Sequence, residues 1–239
     1  MGRAYEVRKA SIQKTGAAKA KVYSMYAREI YQAAKTGGTS PDSNMALKRL
    51  MEKAKKEQVP SDIIKRAIDK VNSGANESYE AATYELFGPA GSTLIVNCLT
   101  DNINRTLSNI RTVVNKCHVK LGAMGSVAYQ YDHLCIVGFK GLDEEQTLDA
   151  LISAVIDADD IEIDDGLTMV YGNPKDLHDI KKAIDSLIPN IEFEIDETTW
   201  MAKEKLIIEN VEEKELFEKL VSMLEDIEDI QNVYHNVEL

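Results

Sequence analysis

Cysteine is scarce in this 239-residue chain: Cys98, Cys117 and Cys135 are all it has. The number is odd and no pair has CxxC spacing. That excludes a disulfide scaffold and fits a reduced cytoplasm. No apolar run approaches the length that spans a bilayer, so no membrane partner is expected. The opening MGRAYEVRKAS lacks the apolar stretch of a secretory signal, and Glu6 stands where N-myristoylation needs Ser or Thr. Site chemistry is equally thin. Cys117-His118 and His133-x-Cys135 are the close Cys/His pairs, and neither has zinc-ligand spacing. The acidic runs at 157–160 and 225–229 lack the glycine and terminal glutamate of an EF-hand loop and read as solvated faces. Gly88-Pro89-Ala90-Gly91 lacks GK[ST] and precedes a strand, so it reads as a turn and not a phosphate loop. Nothing local marks Cys117 as an activated thiol. The expectation is no catalytic residue, no metal and no cofactor.

What the chain does have is charge, unevenly placed. Residues 1–74 hold 16 Lys and Arg against 7 Asp and Glu. Residues 75–134 are close to neutral, and residues 135–239 hold 8 basic against 28 acidic, giving the chain its net −12. A basic head on an acidic body suits a nucleic-acid binder that must stay soluble. At 44% hydrophobic residues the chain can also bury real cores.

Periodicity divides the chain. Residues 1–21 are too poor in apolar side chains to fix a core and read as a basic arm ordered by a partner. Residues 22–74 give three amphipathic stripes: Val22, Met25, Tyr26, Ile30 and Ala33; Leu47, Leu50, Met51 and Ala54; and Ile64, Ala67, Ile68 and Val71. Gly37-Gly38 ends the first helix, Ser40-Pro41 is expected to start the second, and 75–79 reads as a linker. The stretch Gly88–Tyr131 is the hub. An apolar strand over 93–99 is followed by the caps Thr100-Asp101-Asn102 and a helix with Ile103, Leu107, Ile110 and Val114 inward. Gly122 and Gly125 then lead to a strand over 126–131. A helix over 212–226 and a strand over 231–237 are expected to return to this sheet, so the central domain takes in 79–133 plus 206–239. Residues 134–205 follow the order βαββαβ of an inserted, acidic ferredoxin-like domain, with Leu148, Leu151, Ile152 and Val155 inward on its first helix. The predicted fold class is α+β. It comprises an N-terminal three-helix domain, a central α/β sandwich-like domain completed by the C-terminus, and the inserted ferredoxin-like domain.

The candidate nucleic-acid contacts follow from this division. In the arm they are Arg3, Arg8, Lys9, Lys14, Lys19 and Lys21, with Arg28 just beyond. Arg49, Lys53 and Lys56 make a row off the apolar stripe of the second helix, and Lys65 and Arg66 lie on the outer side of the third. Such rows suit phosphates, which position a protein without reading sequence. Arg105 and Arg111 stand on the hub helix, whose N-terminal N–H groups can meet a phosphate. Tyr5, Tyr23, Tyr26 and Tyr31 neighbour the cations and could stack on unpaired bases, although Tyr26 sits on an apolar stripe.

Several strings carry a family resemblance. They are Gly37-Gly38…Pro41…Asn44…Leu47, Val59-Pro60 with Lys65-Arg66-Ala67-Ile68, and Tyr84-Glu85 with Phe87-Gly88-Pro89. Leu99-Thr100-Asp101-Asn102-x-Asn104-Arg105-Thr106 and Leu121-Gly122-x-x-Gly125-Ser126-Val127 complete them, with Val233–Val237 at the end. On these the chain resembles the YebC/PmpR family, whose mitochondrial relative is the translational activator of cytochrome oxidase. Its start looks like the subgroup with a shortened, Trp-less N-terminus. His118-Val119 replaces the family's Gly-Gly, which puts the turn there in question. The resemblance implies three domains, no catalysis, and a nucleic-acid-linked regulator. The expected partner is DNA in transcriptional control or, alternatively, ribosomal RNA and the ribosome in translation. A small-molecule-sensing role for the ferredoxin-like block ranks last, because the block has no polar cluster or phosphate loop to support it.

Overall fold

The computed structural model describes residues 19–74 and 77–238. The arm residues Arg3, Tyr5, Arg8, Lys9 and Lys14 lie outside the described residues. Within the described residues the chain forms two compact units. One runs from Tyr129 to Glu204; the other takes the residues up to Ala128 together with those from Lys205 on.

The larger unit opens with three helices: α1 (Lys19–Gly37), α2 (Met45–Lys56) and α3 (Ser61–Asn72). Their apolar stripes meet around Tyr26, Ile30, Tyr31, Leu47, Ala54, Ile64 and Ala67. The second helix starts later than Ser40-Pro41 suggests, because residues 40–44 form a turn and Asn44 is the N-cap. The Asn44 side chain accepts from the Leu47 N–H and donates to the carbonyls of Ala33 and Gly38. A Cβ on Gly37 would stand 2.7 Å from that amide. This contact explains why Gly-Gly, Asn and Leu belong to one motif. Nor is the segment after α3 a free linker from Glu77 onward. The Glu77 carbonyl accepts from Tyr31 and Lys35, and its carboxylate meets Lys70 and Tyr79.

The central sheet is antiparallel, in the order β3-β1-β2-β8: β1 (Glu80–Phe87), β2 (Thr93–Thr100), β3 (Lys120–Leu121) and β8 (Ile230–His235). The helix α4 (Ile103–Lys116) and, before β8, the helix α7 (Val211–Glu225) supply Ile110, Val113, Val114, Phe217, Leu220 and Leu224 to its core. The C-terminus thus completes this sheet. The hub helix buries Ile110 and Val114 as its pattern demands, but Ile103 at its first turn is 39% exposed. α4 ends in a Schellman turn: His118 takes φ +51°, and the His118 and Val119 N–H groups return to the carbonyls of Asn115 and Val114. The left-handed residue is the histidine, which tolerates it better than a β-branched side chain would. The family's Gly-Gly can therefore be replaced here by His118-Val119.

The strand expected at 126–131 is not one strand. Residues 128–130 form a 3₁₀ turn, and the strand begins at Tyr131 in the other sheet. The physical cause is Glu85. Its buried carboxylate takes the N–H groups of Gly125, Val127 and Ala128, leaving them no strand partner.

The second unit follows the order βαββαβ. Its elements are β4 (Tyr131–Phe139), α5 (Glu144–Ser153), β5 (Ala158–Asp164), β6 (Leu167–Gly172), α6 (Leu177–Leu187) and β7 (Phe193–Ala202), with sheet order β5-β6-β4-β7. This is the ferredoxin-like arrangement. Cys135, Val137, Phe139 and Val170 pack against Leu151, Ile180 and Ile184 of the two helices. The inward face of α5 differs from the expected one. Thr147, Ala150 and Leu151 are buried, while Leu148, Ile152 and Val155 are 46, 62 and 93% exposed. The helix stops at Ser153 in another Schellman turn, with Val155 at φ +60°, so helical spacing no longer governs where Val155 points.

Candidate nucleic-acid interface

The sequence-named cations fall into two groups. The first group converges on one buried acid. Asp229 lies just before β8 and is 5% exposed. Arg105 Nη2 donates to both of its oxygens at 3.0 Å and to Asp101 Oδ1 at 2.6 Å. Thr106 Oγ1 donates to Asp229 Oδ2 at 2.8 Å and lies 2.8 Å from Thr100 Oγ1, while the Asp229 carbonyl accepts from the Leu99 N–H. Arg28, from α1, reaches the same carboxylate at 3.4 Å, the Glu228 carbonyl at 2.8 Å and the Glu228 carboxylate. Asn102 caps α4 by accepting from the Arg105 N–H.

The most specific string of the sequence, Leu99 to Thr106, is therefore a structural lock. It ties the start of α4 to Asp229, 124 positions from Arg105, and Arg28 of α1 reaches the same residue from 201 positions away. The Arg105 hydrogen bond holds the Asp101 carboxyl below the usual carboxylate range. Lys21 belongs with this group. It is half-buried, and desolvation lowers its pKa against the pull of Glu225 and Asp226. Arg28 and Arg105 are thus paired with the buried Asp229, while Lys21 lies in the field of the exposed Glu225 and Asp226.

The second group faces solvent. Lys19, Lys56 and Arg111 are exposed, and Arg49 and Lys53 are half-exposed on α2. Lys65 and Arg66 of α3, expected on its outer side, are exposed, and so are Lys48 and Lys55 of α2, which the sequence pattern did not single out. Tyr26 and Tyr31 are 3% and 2% exposed core residues and cannot stack on bases. Tyr23 packs partly on the same core. The acidic run at 225–229 is likewise not uniformly a solvated face. Asp229 was hidden in it because its partners come from Arg28 and from 99–106, far away in sequence.

The three thiols are buried and free. Burial pushes Cys98 up to about 12 and Cys135 to about 11, and raises Cys117, so none is an activated thiolate. Among the described residues, no His, Cys, Asp and Glu side chains gather in a metal-binding group. No helix among the described residues is long and apolar enough to cross a membrane.

Comparison with known proteins agrees with this architecture. Residues 3–74 match the model of the TACO1/YebC protein N-terminal domain, and residues 79–237 match that of the TACO1/YebC second and third domain. A probable transcriptional regulatory protein of Alteromonas mediterranea is 46% identical over 236 residues, covering 99% of this chain and 98% of the relative. One from Marinobacter nauticus is 46% identical over 239 residues, covering 100% and 99%. The crystal structure of a conserved hypothetical protein from Aquifex aeolicus superposes with a TM-score of 0.73 at 31% identity, covering 94% of this chain and 92% of that one. With two family models spanning nearly its whole length and full-length relatives at this identity, the chain belongs to the TACO1/YebC family.

Proposed function

We propose that this chain is a non-enzymatic, cytoplasmic regulator that binds nucleic acid through the phosphate backbone, in the role of a DNA-binding transcriptional regulator. The observation that carries the reading is the exposed row of cations on α2 and α3. Lys48, Lys55, Lys56, Lys65 and Arg66 stand there on a body that is otherwise strongly acidic. The names of the relatives support the same class of role. In this reading residues 1–21 and 22–74 form the binding head and 79–133 with 206–239 the hub. Residues 134–205 form an acidic domain that repels nucleic acid, so that only the head engages.

One observation favours a second ligand. Arg28 and Arg105 are engaged by Asp229, which leaves Arg111 as the hub helix's other arginine. The exposed row is mostly lysine, a point charge less suited than arginine to the bidentate reading of guanine. A binder of phosphates that reads little sequence also fits structured ribosomal RNA. Co-sedimentation with ribosomes at moderate salt, run beside affinity for duplex DNA, separates the two. Reversing Arg8, Lys9 and Lys14 together flattens the salt dependence of whichever complex forms; an unchanged slope removes the arm from the interface.

A further inference from the structure

The turn Gly122–Val127 between β3 and β4 holds an apolar side chain in solvent. Met124 is 96% exposed, the most exposed large apolar side chain among the described residues. Its flanks are fixed. The Gly122 N–H donates to the Glu85 carbonyl at 2.7 Å. The Glu85 carboxylate, 6% exposed, accepts from Gly125 at 2.6 Å, Val127 at 2.5 Å and Ala128 at 3.0 Å. Ser126 Oγ closes the turn on the Ala123 carbonyl at 2.7 Å. Gly122 has no room for a Cβ, which would stand 2.4 Å from Ser126 Oγ and 3.1 Å from the Glu85 carbonyl. Gly125 sits at φ +81°, where other residues are strained. A buried carboxylate clamping a turn is a costly way to end in a methionine that touches nothing, unless the tip meets a partner.

The surrounding charge says what kind of partner. From Asn102 to Tyr131 there is no Asp or Glu, in a chain with 40 of them. Arg111, Lys116, His118 and Lys120, which precede the loop in the chain, are exposed. An apolar, polarizable tip in an acid-free, cation-bearing stretch of chain suits stacked bases beside phosphates, and methionine is among the side chains that wedge into base steps. Resting on the nucleic-acid reading above, we infer that Met124 is a wedge that inserts at a distorted or bulged step of a bound nucleic acid, held for that purpose by Glu85.

The test uses fluorescein-labelled duplexes of equal length, perfect or carrying one bulge, made as DNA and as RNA. The wild-type chain is expected to prefer a bulged duplex by about tenfold, the size of one lost stacking contact. Met124→Ala abolishes that preference and leaves the salt slope unchanged, because no charge is altered; Met124→Leu keeps it. Equal binding of Met124→Ala and wild type on every probe overturns the wedge alone, as does a wild type that binds steeply with salt but without preference. A wild type that binds no probe at any salt overturns the nucleic-acid reading and the wedge together. Because Met124 packs against nothing, an unaltered circular dichroism spectrum for both variants is expected.

Discussion

Arg105 and Lys65 carry the same charge and do different work. Arg105 lies on the most distinctive string of the chain, and its Nη2 donates to Asp101 and the buried Asp229. Lys65 lies on an ordinary amphipathic helix and faces water. A cation paired with a buried acid holds the fold; removing it strands a charge. An exposed cation contributes little to folding and is free to meet phosphate. Conspicuousness of sequence thus marks the lock around Asp229, while the proposed pull on nucleic acid rests on unremarkable lysines.

The largest effect expected is at the centre of the lock. Asp229→Ala removes the buried acceptor of Arg28, Arg105 and Thr106 and leaves the two arginines only their exposed partners Glu228 and Asp101, costing about 3–4 kcal/mol in urea unfolding. A loss under about 1 kcal/mol would place Arg105 with the cations that contribute little to the fold.

Next comes pH, acting on the strand that Asp229 precedes. Burial pushes His235 down to about 4, with Lys205 adding to the shift, and its ring packs edge-on against Phe217 at 5.1 Å. A histidine whose folded pKa lies below its unfolded value of 6.5 binds its proton more readily when unfolded. Its contribution is present above pH 6.5 and is lost as pH falls toward 4. The loss should reach about 3 kcal/mol at most, and His235→Phe should flatten the thermal-melt profile over that window.

Smaller still is the relief of strain at Val155. A β-branched residue at φ +60°, 93% exposed, gains nothing from its side chain. Val155→Gly should raise stability by roughly 0.5–1 kcal/mol, read as a higher melting temperature.

The smallest effect on stability is expected on the other side of the comparison. Lys55→Glu, Lys65→Glu and Arg66→Glu together should shift unfolding by under about 0.5 kcal/mol per site, as surface changes do.

Much of the fold was legible because it is written in periodicity. The stripes of α1–α3, the apolar β2, and the βαββαβ order all follow from where apolar side chains recur. What periodicity could not reach were polar contacts between distant residues. Asp229 read as one acid in a solvated run, and Glu85 as one letter of a motif. Each is buried, and its partners lie 40 or more positions away. The strand expected at 126–131 failed for the same reason, since Glu85 had claimed its amides. The face of α5 was misjudged because Leu148, Ile152 and Val155 are hydrophobic and evenly spaced. The helix instead approaches its sheet through Thr147 and Ala150, with Leu151 between the two patterns. For the candidate interface, charge counting found the excess of cations in residues 1–74, but only the partner distinguishes the cations of the lock: Arg28 and Arg105 are paired with the buried Asp229, although Arg105 is itself 48% exposed.

The central claim is that these two sets of cations do different jobs, and the salt dependence of nucleic-acid binding tests it most directly. The Lys55, Lys65 and Arg66 reversal should reduce the slope of log affinity against log salt by about 3, at nearly unchanged stability. Arg105→Gln should lower the melting temperature and leave that slope as it was. A slope that falls with Arg105→Gln and stays fixed in the triple variant would contradict the account.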